Sequence, residues 1–384
     1  MNLLGQSTID ERINLFSKTV EPFTERAIKH DENGTFPFEN FEDLKAIGYP
    51  AVTLPKEHGG LGASLHEMLR YQEIIGKADG STALSIGWHM GIMKHLGEND
   101  IWKKDKYASV AHDVKETGAL LNNAASEPAT GSPTRGGKPE TFVKEDSTGW
   151  VINGRKTFTT LAPILSYFVV SASIDGTDDV GNFLVKRDSE GVRIEETWDS
   201  IAMRGTGSHD LVLENVHVEK DDLVEMPSSG KQKPAGWLLH IPACYLGIAQ
   251  AAQQAAIDFA TTYSPNSIKG TISELPNVKQ KIGEIELGIL EAKHFLYSVA
   301  KKWDESDETI RSTMGPELGA VKLSVVNKAV EAVDLAMRIV GARSLSKKNK
   351  LQLYYRDVRA GLHNPPMDDM TIINLAGKSI SDHQ

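Results

Sequence analysis

Apolar residues recur at helical intervals through the N-terminal part of the chain, at Ile9, Ile13, Leu15, Phe16, Val20 and Phe23, then at Phe41, Leu44 and Ile47. Residues 49–55 read as an extended link, and Gly59-Gly60-Leu61-Gly62 as a chain reversal. Helices are predicted from Leu65 to Ile75 and from about Ser81 to Leu96. From about residue 119 the period shortens. Tyr167 to Ala172 and Asn182 to Val185 read as strands, and Trp150-Val151-Ile152 runs into Asn153-Gly154, the dipeptide best suited to a tight hairpin. Beyond Gly236 the helical period returns over Ile241–Tyr263 and Leu275–Trp303. A stripe follows at Leu318, Val321, Val325, Ala329, Val333, Ala336 and Val340, with Gly341 placed as a C-cap. Residues 224–235 read as a linker, and Met370–Ser379 as a last helix. The pattern predicts an α+β chain: an N-terminal helical domain (1–118), a middle β-domain (119–225) and a C-terminal four-helix bundle (236–384).

Composition narrows the function classes. A chain of 384 residues with 40% hydrophobic and 24% charged positions suits a globular protein of several packing units. A formal net charge of -10, with no basic face apparent, argues against a nucleic-acid partner. The single cysteine, Cys244, allows no intrachain disulfide and no Cys-rich metal site, and its apolar setting suits a core residue. No stretch is apolar enough to span a membrane and no secretory leader is apparent, so the cytoplasm is the default location.

The candidate chemistry concentrates between Ser126 and Thr160. Hydroxyls at Ser126, Thr130, Ser132, Thr159 and Thr160 and free loop amides suit a flat heteroaromatic ring or a phosphate, although a polar β-loop would look much the same. This stretch resembles the middle domain of the acyl-CoA dehydrogenase superfamily. Further landmarks follow in the family's order: Gly59-Gly60-Leu61-Gly62, Met203-Arg204-Gly205-Thr206 with Leu211 to Val216, and Tyr355-Arg356-Asp357-Val358-Arg359. The resemblance implies the acyl-CoA dehydrogenase fold, a flavin between the β-domain and the C-terminal helices, and a homotetramer. It assigns Ser126 and Thr160 to hydrogen bonds with the flavin ring, Phe158 to one ring face, and Ser132 to the CoA portion of a substrate. FAD is the cofactor by family. The segment that normally grips the FAD pyrophosphate falls near Asn266–Lys269 without its arginine, and the cross-subunit pair falls near Arg338 and Ala342, which leaves FMN open.

The dehydrogenase reaction needs a carboxylate to take the α-proton of the thioester. The family's usual position for it holds Pro365, and its alternative position, on the helix after the linker, holds Trp237. Proline neither accepts a proton nor donates a backbone N–H. The C-terminal motif, Arg356 to Pro365, is more similar to the two-component flavin-dependent monooxygenases of the dibenzothiophene monooxygenase type, which receive reduced flavin from a partner reductase and react it with oxygen. In that branch the histidines matching His89 and His363 are the expected catalytic pair, although a lone histidine on an apolar helix is more often a core residue. A dehydrogenase with a base relocated to Asp368 or Asp369 is the alternative, against their simpler role in capping the last helix. A non-catalytic flavin or acyl-CoA binding protein is the third. Trp88, Trp237, Tyr245, Leu362 and Met367 are expected to line the substrate pocket, which points to an apolar or aromatic compound, or to an acyl-CoA.

Overall fold

A computed structural model describes residues 2–130, 137–226 and 233–383. The N-terminal helices are α1 (Ile9–Val20), α2 (Phe23–Asn33), α3 (Phe38–Ala46), α4 (Leu65–Ala78), α5 (Gly80–Asn99) and α6 (Lys104–Thr117). Thr8 opens α1 through a capping box closed by Glu11. Gly34 and Gly118 end α2 and α6 in the left-handed conformation that glycine adopts without strain. Residues 49–51 are not extended as expected but form a short 3-10 turn. Burial explains it: Tyr49 is swallowed between Phe16 and Tyr71, with ring centroids at 4.7 and 5.6 Å.

The β-domain carries β1 (Leu121–Ala124), β2 (Phe142–Glu145), β3 (Gly149–Thr159), β4 (Tyr167–Ile174), β5 (Val180–Lys186), β6 (Val192–Glu195), β7 (His209–Glu219) and β8 (Leu223–Glu225). The strand order is β6-β7-β3-β2-β4-β5-β8, with β1 paired in parallel to β4 beside that path. Asn153-Gly154 makes no hairpin. It lies inside β3, where the register against β7 shifts between Ile152 and Gly154 as a bulge. The Asn153 side chain accepts from the Asn215 backbone N–H (2.9 Å) and donates to the Asn215 amide oxygen (3.2 Å). A Cβ on Gly154 would lie 2.4 Å from Thr141 Oγ1, so the glycine serves close approach between neighbouring strands.

The C-terminal helices are α7 (His240–Thr262), α8 (Pro276–Glu305), α9 (Glu308–Arg311), α10 (Gly315–Val340), α11 (Lys350–Ala360) and α12 (Asp368–Ser381). The apolar stripe of α10 is buried, and Gly341 closes the helix at φ +70°. Glycines let α7 lie close on α4: a Cβ at Gly76 would meet the Cys244 carbonyl at 2.4 Å, and one at Gly247 the Glu73 carbonyl at 2.4 Å. Cys244 is buried there as a core residue. A continuous core joins Phe16 of α1, Phe168 of β4 and Tyr245 of α7, while Ile92, Tyr107, Leu121 and Tyr167 form a second cluster that fixes the sheet edge onto α5 and α6. Among the described residues no helix is long and apolar enough to cross a membrane.

Three parts of the chain meet around α11. Arg356 pairs with Asp31 of α2 at 2.5 Å, and the Asp357 carboxylate accepts from the Met203 backbone N–H at 2.6 Å. Burial is the main cause pushing the Asp357 carboxyl up to about 7. These contacts hold the 198–208 loop, which forms one wall of the site.

Candidate active site

The β-side of the site is built by hydrogen bonds. The Ser126 carbonyl accepts from Thr157 N–H at 2.9 Å, which stitches the 126–130 loop to β3. Beneath it the buried Lys156 ammonium meets Glu127 at 2.5 Å, and Glu127 also accepts from the backbone N–H groups of Glu140 (2.6 Å) and Thr141 (3.1 Å). Burial opposes both charges. It lowers the Lys156 pKa, whereas the hydrogen bonds to Glu127 outweigh its burial and hold that carboxyl below its ordinary value.

At the end of β3 the chain turns Phe158 outward. Its φ of +53° is unusual for an aromatic residue, and 66% of its surface is exposed. The ring meets Trp198 edge-on at 5.9 Å. Such a strained, exposed ring is not explained by core packing. Thr159, next to it, is buried with a hydroxyl that has no partner. Thr160 follows, and its hydroxyl lies 2.9 Å from Ser208 Oγ, which lies 2.9 Å from Thr206 Oγ1. Asn122 of β1 donates to the Thr160 carbonyl at 3.0 Å. The result is a polar edge of hydroxyls beside an exposed aromatic ring, a donor set and a face whose chemistry fits the isoalloxazine of a flavin.

The helical side is built by rings. Trp237 and His240 lie nearly parallel, 3° apart in plane, with centroids at 5.9 Å. Trp88 of α5 meets both edge-on, His240 at 4.9 Å and Trp237 at 5.9 Å, and His95 lies 6.3 Å from Trp237. Two glycines of α5, one helical turn apart, make this possible. A Cβ on Gly87 would lie 2.2 Å from His240 Nδ1, and one on Gly91 would lie 2.3 Å from Trp237 Cε3. Trp237 Nε1 and both ring nitrogens of His240 are buried with no hydrogen-bond partner. Buried polar groups are nearly always paired, so three orphans in one cluster set this place apart from the packed core around it. Burial alone pushes the His240 imidazole down to about 3, so it is neutral at pH 7.

The structure places the sequence-predicted residues unequally. Phe158 and Thr160 are neighbours at the end of β3, Ser126 is tied to that strand, and Trp88 meets Trp237. Tyr245 donates to Asn364 Oδ1 at 2.6 Å and so holds the turn that carries His363, an exposed side chain. Ser132 lies outside the described residues. His89 requires a correction. Its Nε2 bonds the Pro50 carbonyl at 3.1 Å and its Nδ1 accepts from Leu121 N–H at 3.1 Å, so both nitrogens are engaged in the core. It positions the start of β1, and therefore Asn122, rather than facing a substrate; burial first of all lowers its pKa to about 4. Asp368 is held by Lys322 (3.2 Å) and Asn327 (3.1 Å), and Asp369 lies in the first turn of α12. Sequence reasoning passed over Trp198, Ser208 and His240. A signal existed for two of them: Ser208 follows Thr206 in the Met203-Arg204-Gly205 loop, and His240 stands one helical turn after Trp237.

The chain matches the family descriptions "Acyl-CoA dehydrogenase, N-terminal domain" over residues 10–100, "middle domain" over 122–216 and "C-terminal domain" over 239–364. It is 50% identical over 94% of both chains to YdbM of Bacillus subtilis (strain 168), which is named provisionally as an acyl-CoA dehydrogenase. It is 28% identical to the 3-(aryl)acrylate reductase of Clostridium sporogenes (strain ATCC 15579), over 91% of this chain and 93% of that one. Among solved structures, FMN-bound TdsC, a dibenzothiophene monooxygenase of Paenibacillus sp. A11-2, superposes with a TM-score of 0.86 at 22% identity over 97% of both chains. This last likeness is one of fold.

Proposed function

The chain belongs to the acyl-CoA dehydrogenase family of flavoenzymes, and on that premise we propose that it is a flavin-dependent oxidoreductase of the monooxygenase kind, using reduced flavin and oxygen. The observation that carries the reading is the turn after α11. Pro365 stands where the family's proton acceptor is expected, Tyr245 fixes Asn364 before it, and the following Asp368 is tied to Lys322. Trp237 fills the family's other base position and packs against His240 and Trp88. An α-proton of a thioester therefore meets neither carboxylate that a dehydrogenase would offer at those places.

When bound, the flavin supplies two-electron redox chemistry and, once reduced, the activation of oxygen. The chain's own residues do the rest. Ser126 and Thr160 bind the ring edge, and Phe158, braced by Trp198, covers one face. Trp88 and Trp237 exclude water and accept the apolar body of a substrate, Tyr245 supports the site from the core through Asn364, and Ser132 is assigned by resemblance to the CoA portion of an acyl-CoA. His363 presents an imidazole that can donate a hydrogen bond or proton to the oxygen being transferred. A groove lined by Phe259, Arg343, Lys348 and Lys350 offers cations for the outer phosphate of a dinucleotide flavin held by a second copy, so both FAD and FMN are to be tried. Exposed Leu287 and Leu290 of α8 and Ile372, Ile373 and Ile380 of α12 support self-association, in keeping with the homotetramer that the family resemblance implies. A cytoplasmic location and a separate flavin reductase belong to the same proposal.

The test is to mix the protein carrying reduced flavin with ¹⁸O₂ and an aromatic probe such as indole. A product carrying the labelled oxygen supports the reading, and hydrogen peroxide as the only oxygen product opposes it. The second reading, a dehydrogenase whose base is relocated to Asp368 or Asp369, is favoured by the name of the half-identical relative. A silent flavin-binding or acyl-CoA-binding protein is what would remain if neither reaction were found.

A further inference from the structure

We propose that Asp357 is the positioning residue of the flavin wall: through the backbone of Met203 it fixes Trp198, and through Trp198 the Phe158 ring, so that the charge on one buried carboxylate governs how firmly the flavin is held. The inference rests on the flavin reading above and adds a control to it. Consecutive residues of α11 grip the 198–208 loop. Arg356 donates to the Ile201 carbonyl at 2.5 Å, and Asp357 Oδ1 accepts from Met203 N–H at 2.6 Å. Met203 depends on that acceptor. It is 2% exposed and stands at φ +52°, a left-handed conformation that disfavours residues with a Cβ. A buried N–H left without a partner there would let the turn open. The carbonyl of the same residue gathers Thr206 N–H at 3.1 Å, Thr206 Oγ1 at 3.0 Å and the Trp198 indole N–H at 3.2 Å. Trp198 in turn meets Phe158 edge-on at 5.9 Å.

The surroundings make this acceptor a variable one. Asp357 lines a small cavity with His30 and Asp31 of α2, Asp79 at the start of α5, and Tyr354 of its own helix. The charges that reach it are Asp31, Asp79 and Arg356. Arg356 is engaged by Asp31 at 2.5 Å, and His30 by Thr35 at 2.7 Å and Glu39 at 2.8 Å. Cys244 and Tyr245 of α7, and Tyr354, face it as neutral groups, because burial raises all three. Burial also outweighs the Met203 bond and pushes the Asp357 carboxyl up to about 7, so its charge changes near neutrality. An ionised acceptor holds an N–H roughly twice as strongly as a neutral one. Above pH 7 the carboxylate clamps Met203; below it the protonated group holds the turn more weakly. The folded value lies above the ordinary 3.8, so ionisation costs folding stability as pH rises from there through 7. The charge thus weakens the fold as a whole while tightening this one loop, as expected of a group kept for function.

The experiment reads the loop and the ligand separately on either side of pH 7. Hydrogen exchange of the 198–206 backbone, corrected for the pH dependence of exchange itself, is followed in the full chain and in Asp357→Asn, which keeps an oxygen for Met203 but cannot ionise. Protection in the intact chain is expected to rise about fivefold from about pH 6 to about pH 8, and to stay flat in the variant. Affinities for oxidised FMN and FAD are taken as the ratio of the intact chain to Asp357→Asn, so that titration of the flavin cancels, and this ratio should rise by a similar factor. Trp198→Phe keeps a ring but loses the N–H to Met203; it should retain the rise in protection and lose most of the rise in affinity. Flat protection in the intact chain, readable whether or not a variant folds, would overturn the inference and leave flavin binding standing. A constant affinity ratio, or a full rise in affinity in Trp198→Phe, would overturn it too. Absence of flavin binding at every pH would remove the flavin reading itself, and the claim about affinity with it, whatever the loop does.

Discussion

The two walls of the site hold themselves together by opposite means. The β-wall is polar and, apart from the hydroxyls of Thr141 and Thr159, its groups are paired: Glu127 with Lys156, Ser126 with Thr157, Asn122 with Thr160, and Thr160 through Ser208 and Thr206 to Met203. The helical wall is aromatic and packed through glycine notches, yet it leaves Trp237 Nε1 and both His240 nitrogens without partners. A paired polar surface is fixed in shape and suits a cofactor that stays the same from one turnover to the next. A close-packed aromatic surface with unanswered polar atoms suits the variable ligand, the substrate.

Mutations should separate the walls. The largest effect belongs to the β-wall. Lys156→Met leaves Glu127 buried and uncompensated and should cost about 3–5 kcal/mol, read by urea unfolding, with flavin affinity lost as well. A loss below about 1 kcal/mol would mean that the pair does not anchor the loop. On the helical wall Gly91→Ala drives a methyl group into the Trp237 ring and should cost about 1–3 kcal/mol, only partly offset by better helix propensity. Substrate preference should change while flavin affinity holds; the reverse outcome would place the flavin on the helical wall.

His240→Leu should raise stability at pH 7.5 by about 1 kcal/mol or more, because it removes buried groups that lack partners. A loss of stability would mean that the fit of the imidazole against Trp88 and Trp237 outweighs its unpaired nitrogens. The advantage should grow on acidification. The folded imidazole titrates at about 3 against an ordinary 6.5, so below pH 6.5 the unfolded chain takes up a proton that the folded chain refuses. The wild type should therefore lose about 1.4 kcal/mol per pH unit relative to the variant as pH falls from 6.5 towards 4. His363→Ala, at an exposed position, should change stability by less than about 0.5 kcal/mol. Oxygen transfer should nonetheless fall at least tenfold; unchanged turnover would leave His363 outside the chemistry.

These contrasts also explain what could be read from the chain beforehand. Helix α10 was legible because its stripe repeats locally and ends on a glycine, and the order of three parts followed from the change of period near residues 119 and 236. Asn153-Gly154 misled because the dipeptide reports only tolerance of unusual backbone. Whether that becomes a turn or a bulge depends on Asn215, far away in sequence. His89 misled for a related reason: the partners of its two nitrogens, Pro50 and Leu121, come from separate segments. The hydroxyl series could not be read at all without the backbone that brings Ser208 to Thr160. Residue types announced the β-wall as polar, but only the fold showed which of its hydroxyls meet.

The central claim is that a flavin lies against Phe158 and Thr160 with no carboxylate poised to take a substrate proton. The most direct test is anaerobic mixing of the protein, loaded with oxidised flavin, with butyryl-CoA and octanoyl-CoA while the flavin absorbance is followed. The account predicts that the absorbance stays unchanged with both thioesters. Rapid bleaching with either would place a working base beside the ring and contradict it.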